Sequence, residues 1–153
     1  MKIIKINQEN FKEYGTHITL PQNKPTSEGS SYKFWSNIGN YYINGKTEIG
    51  ICTVYKQSKN IIDSVERHKT TPEILIPIDG SFIIPLFKED ENEKSLKAFC
   101  IDVGEAVIIK EGIWHAACLP INKEKLSYFV IFKINTPYED VEHRKINPVK
   151  III

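Results

Sequence analysis

Short runs of β-branched and aromatic residues, broken by glycine turns at regular spacing, leave this chain few ways to fold. Ile49–Lys56, Glu73–Asp79, Phe82–Phe87, Leu96–Ile101, Ala106–Lys110, Trp114–Leu119 and Tyr128–Ile134 each read as a strand. Asp79-Gly80, Val103-Gly104 and Glu111-Gly112 supply the joints, and Asp79-Gly80 predicts a tight hairpin with φ > 0 at both central residues. The pattern is that of an all-β sandwich or barrel. Pro77 and Pro85 fall inside two of these strands, so their missing N–H groups must lie at an edge or a bulge. One short helix is expected near the start, capped by Asn7, with Phe11 and Tyr14 on one face and Gly15 closing it in the left-handed conformation. Pro21–Ser31 reads as a loop and Glu89–Lys94 as a charged hairpin tip. The closing Lys150-Ile151-Ile152-Ile153 is too apolar to stand in water, and is expected to extend a sheet or meet a partner subunit.

A chain of 153 residues is expected to form a single domain over 1–153. Twenty Lys and Arg nearly cancel nineteen Asp and Glu, which removes any general electrostatic reason to bind nucleic acid or an anionic membrane. No apolar run approaches the ~20 residues of a spanning helix. Lys2 and Lys5 interrupt the apolar start where a signal peptide needs continuity, so a cytoplasmic location is expected. Cys52, Cys100 and Cys118 form no CxxC pair and are odd in number, and read as buried free thiols in a reducing compartment.

Polar residues that interrupt apolar strands carry the chemistry. In an extended Glu66-Arg67-His68 segment, Glu66 and His68 share one face and Arg67 takes the other. Glu73 has the wrong parity for one continuous strand, but a turn at Thr71-Pro72 returns it to the same side. His115 stands alone in an otherwise apolar run. Two carboxylates and two imidazoles make a mixed oxygen and nitrogen site for a divalent ion. On spacing alone the plainer reading is structural, with a solvated strand end at Glu66–His68 and a hydrogen-bonded core histidine at His115. His17 and His143 read as surface residues.

These two segments resemble the paired motifs of the cupin family. The first motif has a His-x-His pair, then Glu, then Gly; here His68, Glu73 and Gly80 fit and Glu66 stands for the first histidine. In the second motif Gly104, Gly112 and His115 fit, with Lys110 in place of a proline. Within the cupins, Glu66-Arg67-His68, Ile76-Pro77 and Gly112-Ile113-Trp114-His115 are similar to the ureidoglycolate lyase family. Phe11, Tyr14, Gly15, Lys97-Ala98-Phe99 and Asp140-Val141-Glu142 extend that similarity along the chain. Glu73 stands where that family often has Gln, Ala116 where a second His is common, and Lys56 where Arg is usual.

The resemblance implies an all-β, cupin-type double-stranded β-helix, a jelly-roll barrel with a short N-terminal helix. It implies a homodimeric enzyme that releases urea and glyoxylate from ureidoglycolate, a small α-hydroxy acid. Glu66, His68, Glu73 and His115 would hold a divalent ion such as Mn, Ni, Zn or Fe. Glu66, His68, Glu73 and Lys56 would serve the chemistry, with Lys56 or a buried carboxyl protonating the leaving nitrogen. The rival readings are a non-catalytic cupin that binds a small molecule and a cupin isomerase or epimerase for a sugar or keto acid.

Overall fold

The chain shuttles between two sheets, strand by strand, in a computed structural model that describes residues 1–153. In chain order the elements are β1 (Ile3–Lys5), α1 (Gln8–Phe11), β2 (Gly15–Ile18), β3 (Ser27–Gly29), β4 (Tyr32–Phe34), β5 (Thr47–Tyr55), β6 (Ile61–Arg67), β7 (Glu73–Pro77) and β8 (Phe82–Phe87). They continue with a 3₁₀ turn (Glu93–Ser95), β9 (Lys97–Ile101), β10 (Ala106–Ile109), β11 (Trp114–His115), β12 (Leu119–Pro120), β13 (Lys125–Lys133), α2 (Thr136–Glu139) and β14 (Glu142–Lys150). One sheet runs β1-β9-β8-β11-β6-β14, with β12 also on β8; the other runs β2-β10-β7-β13-β5. β5, β7, β10 and β13 alternate along the chain with β6, β8 and β9, β11 and β12, and β14, which belong to the opposite sheet. This is the all-β double-stranded β-helix that the cupin resemblance implies, and α1 is its short N-terminal helix.

The main core lies between the sheets. Phe82, Ile84 and Leu86 of β8 meet Leu75, Val107, Leu126 and Tyr128 of the opposite sheet, joined by Phe11, Tyr14 and Phe99. Ile83 and Phe87 point the other way into a second cluster with Val65, Trp114 and Ile151. β8 is therefore buried on both faces, which is why it reads as an unbroken apolar run. Pro85 is tolerated there because the neighbouring strand is interrupted between β11 and β12, where Ala116 N–H donates to the Pro85 carbonyl at 2.9 Å. Pro77 closes β7 beyond the residues paired with β10.

Two local expectations are corrected. Asp79-Gly80 is a crossover between the sheets, since β7 and β8 do not pair, and neither residue has positive φ. The Asp79 carboxylate instead accepts from Ser127 N–H at 2.8 Å. Gly15 opens β2 and does not cap α1; a Cβ there would sit 1.8 Å from the Ile108 carbonyl oxygen, so close strand approach demands glycine. Asn7 does cap α1, in a reciprocal box with Asn10. The Glu89–Lys94 tip is tied down: Glu89 pairs with Arg67, and Glu93 accepts from Asn147 of β14. The apolar tail extends β14, with Ile151 buried and Ile152 bridged to Lys2.

Candidate active site

Strand register brings the polar interruptions together. β11 pairs antiparallel with β6 so that His115 lies directly opposite Glu66, on one face of the sheet. His68 follows β6 at the same parity as Glu66, and its carbonyl accepts Gly112 N–H at 2.7 Å. Gly112 has φ of +80°, a conformation that favours glycine, in the turn that delivers His115. Arg67 takes the opposite face, 4.4 Å above the Trp114 ring and bridged to Glu89 and Glu142. Glu73 begins β7 in the other sheet, so the site is built from both layers.

The turn between His68 and Glu73 is held by one residue far along the chain. The Asp140 carboxylate accepts from Lys69 N–H (2.9 Å), Thr70 N–H (2.8 Å) and the Thr70 hydroxyl (2.7 Å). Partial burial opposes ionisation of Asp140, but these hydrogen bonds hold its pKa below the usual value. The Asp140 carbonyl oxygen lies 2.7 Å from His68 Nδ1. A carbonyl can only accept, so Nδ1 carries a proton and Nε2 is the nitrogen turned to the cavity. His115 repeats the device, with Nδ1 3.1 Å from the Ile113 carbonyl. In both rings the Nδ1 contact fixes the orientation and leaves Nε2 as the atom that would ligate a metal once it is deprotonated.

The inward atoms crowd one another. His115 Nε2 lies 3.0 Å from Glu73 Oε2 and 3.7 Å from Glu66 Oε1, and His68 Nε2 lies 3.9 Å from Glu73 Oε1. The 3.0 Å contact is an ion-pair distance. His68 Nε2, Glu73 Oε2 and His115 Nε2 are buried, with no other hydrogen-bond partner. One donor atom from each of Glu66, His68 and His115 falls within 4.8 Å of the other two. Glu73 touches both histidines but stands outside that mutual triad. Burial disfavours the charged form of His115, yet the Glu73 carboxylate outweighs it and pushes the His115 pKa up to about 9. Burial likewise opposes charge on Glu73, and His115 overcomes it to hold that carboxyl below its usual value. Two carboxylates and two imidazoles thus converge with three of their inward atoms buried and without any other hydrogen-bond partner, an arrangement that a cation relieves. The donor set of oxygen and imidazole nitrogen fits a divalent transition metal.

A cavity of about 320 Å³ opens beside these atoms, lined by Glu66, Glu73 and His115 and by Glu48, Cys52, Leu75, Cys118, Tyr128 and Phe132 among others. All three cysteines are free. Burial raises the Cys118 thiol well above its usual pKa, so it is protonated and inert. No lysine or arginine lines the cavity. Lys56 is not brought to it: its exposed Nζ lies 3.0 Å from Glu124 Oε1, just beyond the end of β5. Lys110, at the proline position of the second motif, donates to the Lys12 carbonyl.

A family model described as ureidoglycolate lyase matches residues 1–152. The chain belongs to the ureidoglycolate lyase family. No curated protein matches it. Among solved structures, oxalate decarboxylase from Bacillus subtilis at pH 4.6 is 17% identical over 69% of this chain and 24% of that one, with a TM-score of 0.46. The Lactobacillus farciminis oxalate decarboxylase formate complex is 15% identical over 64% of this chain and 26% of that one, with a TM-score of 0.48. The chain spans about a quarter of the length of these structures.

Three residues sit differently from their sequence reading or were not singled out by it. His17 is buried in β2, 3.2 Å from Glu105 Oε1, and is not a surface residue. His143 is exposed but pairs in register with Glu66 across β14 and β6, its Nδ1 3.7 Å from Glu66 Oε2. Asp140 carried no role beyond its place in a family string. Its contact with His68 spans 72 residues of sequence, and no local pattern announces it.

Proposed function

We propose that this chain is a lyase that releases urea and glyoxylate from ureidoglycolate or a closely related α-hydroxy acid, at the cavity lined by Glu66, Glu73 and His115. The observation that carries the proposal is the convergence of two orientation-locked imidazole Nε2 atoms with two carboxylates, the buried members lacking any other hydrogen-bond partner. Glu66, His68 and His115 would hold a divalent ion, with Glu73 as the fourth donor. When bound, such an ion supplies Lewis-acid polarisation of the substrate's oxygens and lowers the pKa of its hydroxyl.

The remaining work belongs to the chain. The reaction takes the proton from the carbinol hydroxyl, breaks the carbon–nitrogen bond, leaves a carbonyl and delivers one proton to the departing nitrogen. Glu66 is half-buried at the cavity with Oε1 toward His115 and Oε2 toward His143, so that Oε1 is the ligand atom and Oε2 is the atom placed to carry that proton. Of the two candidates the sequence offers for that proton, a carboxyl or Lys56, this takes the carboxyl, since Lys56 does not line the cavity. Leu75, Val130 and Phe132 give the cavity dry walls, which strengthen electrostatic interactions inside it. His68 and His115 are held rigid by backbone carbonyls, so little reorganisation accompanies the reaction. A single domain acting in the cytoplasm as a homodimer on a small molecule completes the proposal.

One observation favours a second reading. A cavity with three carboxylates and no lysine or arginine also suits an uncharged polyol, as in a sugar isomerase. Release of urea and glyoxylate from ureidoglycolate, measured with and without chelator, separates the two. Equimolar products lost on chelation support the lyase; no product with any divalent ion refutes it.

A further inference from the structure

The strand β5 ends its sheet with nothing on its outer side. It pairs with β13 through nine consecutive residues without a bulge, and it contains no proline. Such an edge normally carries a bulge, a proline or an inward charge that blocks further pairing; β5 has neither of the first two, and its one inward charge is Glu48, half-buried at the cavity wall and accepting from Asn135 N–H at 3.1 Å. The hydrogen-bond phase of β5 follows from its two ends, where Lys56 N–H donates to the Glu124 carbonyl and Ile134 N–H donates to the Lys46 carbonyl. Even-numbered residues of β5 therefore turn their backbone groups toward β13. Thr47, Ile49, Ile51, Thr53 and Tyr55 turn theirs outward, to the free edge. The side chains of Ile49, Ile51 and Tyr55 are 69%, 65% and 62% exposed. An edge this long, apolar and open is a template for one more strand.

We propose that the free edge of β5 seats a second copy of this chain, the two β5 strands pairing antiparallel about a twofold axis at Cys52. Charge selects this register. Centred on Cys52, the pairing sets Glu48 opposite Lys56 of the partner subunit, twice by symmetry, with Ile51 beside Thr53 and Ile49 beside Tyr55 of the partner subunit. The neighbouring register centred on Ile51 satisfies the same backbone groups but sets Lys46 against Lys56 and leaves Glu48 without a cation. Opposite charges directly across an antiparallel pair stabilise it and like charges oppose it. Lys56 is free to make the exchange, since its present partner Glu124 is itself almost fully exposed.

The register has a consequence for the cavity. Glu48 and Cys52 line it, so the cavity wall is the strand that would be extended. Lys56 of the partner subunit would then bring a cation to a wall that has none in the isolated chain. This consequence rests on the cavity being the substrate site; the pairing itself does not.

The test is the mass of the full-length chain in solution by sedimentation equilibrium. The wild type is expected to be a dimer, and a wild-type monomer at tens of micromolar overturns the proposal. Thr53→Pro removes an outward N–H that β13 does not use and is expected to raise the dimer dissociation constant at least 100-fold. Ile49→Lys, on the exposed face, is a second disruption that spares the core. A folded variant of either kind that stays as dimeric as the wild type places the interface elsewhere. Glu48→Lys or Lys56→Glu alone should weaken the dimer about tenfold, and the two together should restore it. A dimer indifferent to all three overturns the register. Because mass is read without substrate, these outcomes are independent of whether the cavity cleaves ureidoglycolate.

Discussion

Metal binding to this site must expel a proton, and the cost is large enough to measure. In the metal-free chain His115 holds its proton with a pKa of about 9, because the Glu73 charge overcomes the penalty of burial. The ligand form is neutral, with Nε2 bare. At pH 7 the proton lies two pH units below its pKa, so displacing it costs about 2.7 kcal/mol at about 1.36 kcal/mol per unit. Apparent affinity at pH 7 should therefore be about 100-fold below its high-pH limit. It should rise about tenfold between pH 7 and pH 8, flattening only as the pH passes about 9. Calorimetric titration with Mn²⁺ in two buffers of different ionisation enthalpy at pH 7.5 should report about one proton released per ion. Glu73→Gln removes the charge that raises His115, so its titration should bind more weakly and also lose most of the pH slope. An affinity that is flat from pH 6.5 to 8, with no proton released by the wild type, would refute the reasoning.

Asp140→Ala should destabilise the chain by about 1–2 kcal/mol, since it leaves three donors of the 69–70 turn without their acceptor. The chemical melt should show that loss, and metal affinity should fall with it because the turn that places His68 is freed. Gly15→Ala should cost at least about 2 kcal/mol, as a Cβ would drive into the Ile108 carbonyl and part β2 from β10; an unchanged melting temperature would contradict that geometry. His68→Ala and His115→Ala should each abolish metal retention through dialysis while leaving the β-sheet circular dichroism intact, because the core between the sheets does not depend on either ring.

The barrel strands were legible because β-branched and aromatic residues report a pleated, half-buried surface directly. Phe82–Phe87 is the clearest case, buried on both faces with bounds that match the sequence reading. β14 was not legible: Glu142–Lys150 is a largely exposed strand with Pro148 inside it, and it is fixed by pairing with β6 and not by its own pattern. The Asp79-Gly80 pair carries the chemistry of a hairpin, yet the two strands it joins have their partners in opposite sheets, so long-range pairing overrides local turn preference. Within the site, the shared face of Glu66 and His68 follows from strand parity alone. The meeting of His115 with Glu66 needs a register that only the folded sheet supplies. His143, Asp140 and the burial of His17 depend on contacts between distant segments and leave no trace in local sequence.

X-ray absorption at the edge of a divalent ion loaded into the full chain tests the central claim most directly, because it counts the atoms around that ion. The account predicts two imidazole nitrogens and carboxylate oxygens at about 2.0–2.2 Å, with no sulfur neighbour. A spectrum dominated by sulfur at about 2.3 Å would move the ion to Cys52 and Cys118, and one lacking imidazole would remove it from His68 and His115. Either spectrum would contradict the account.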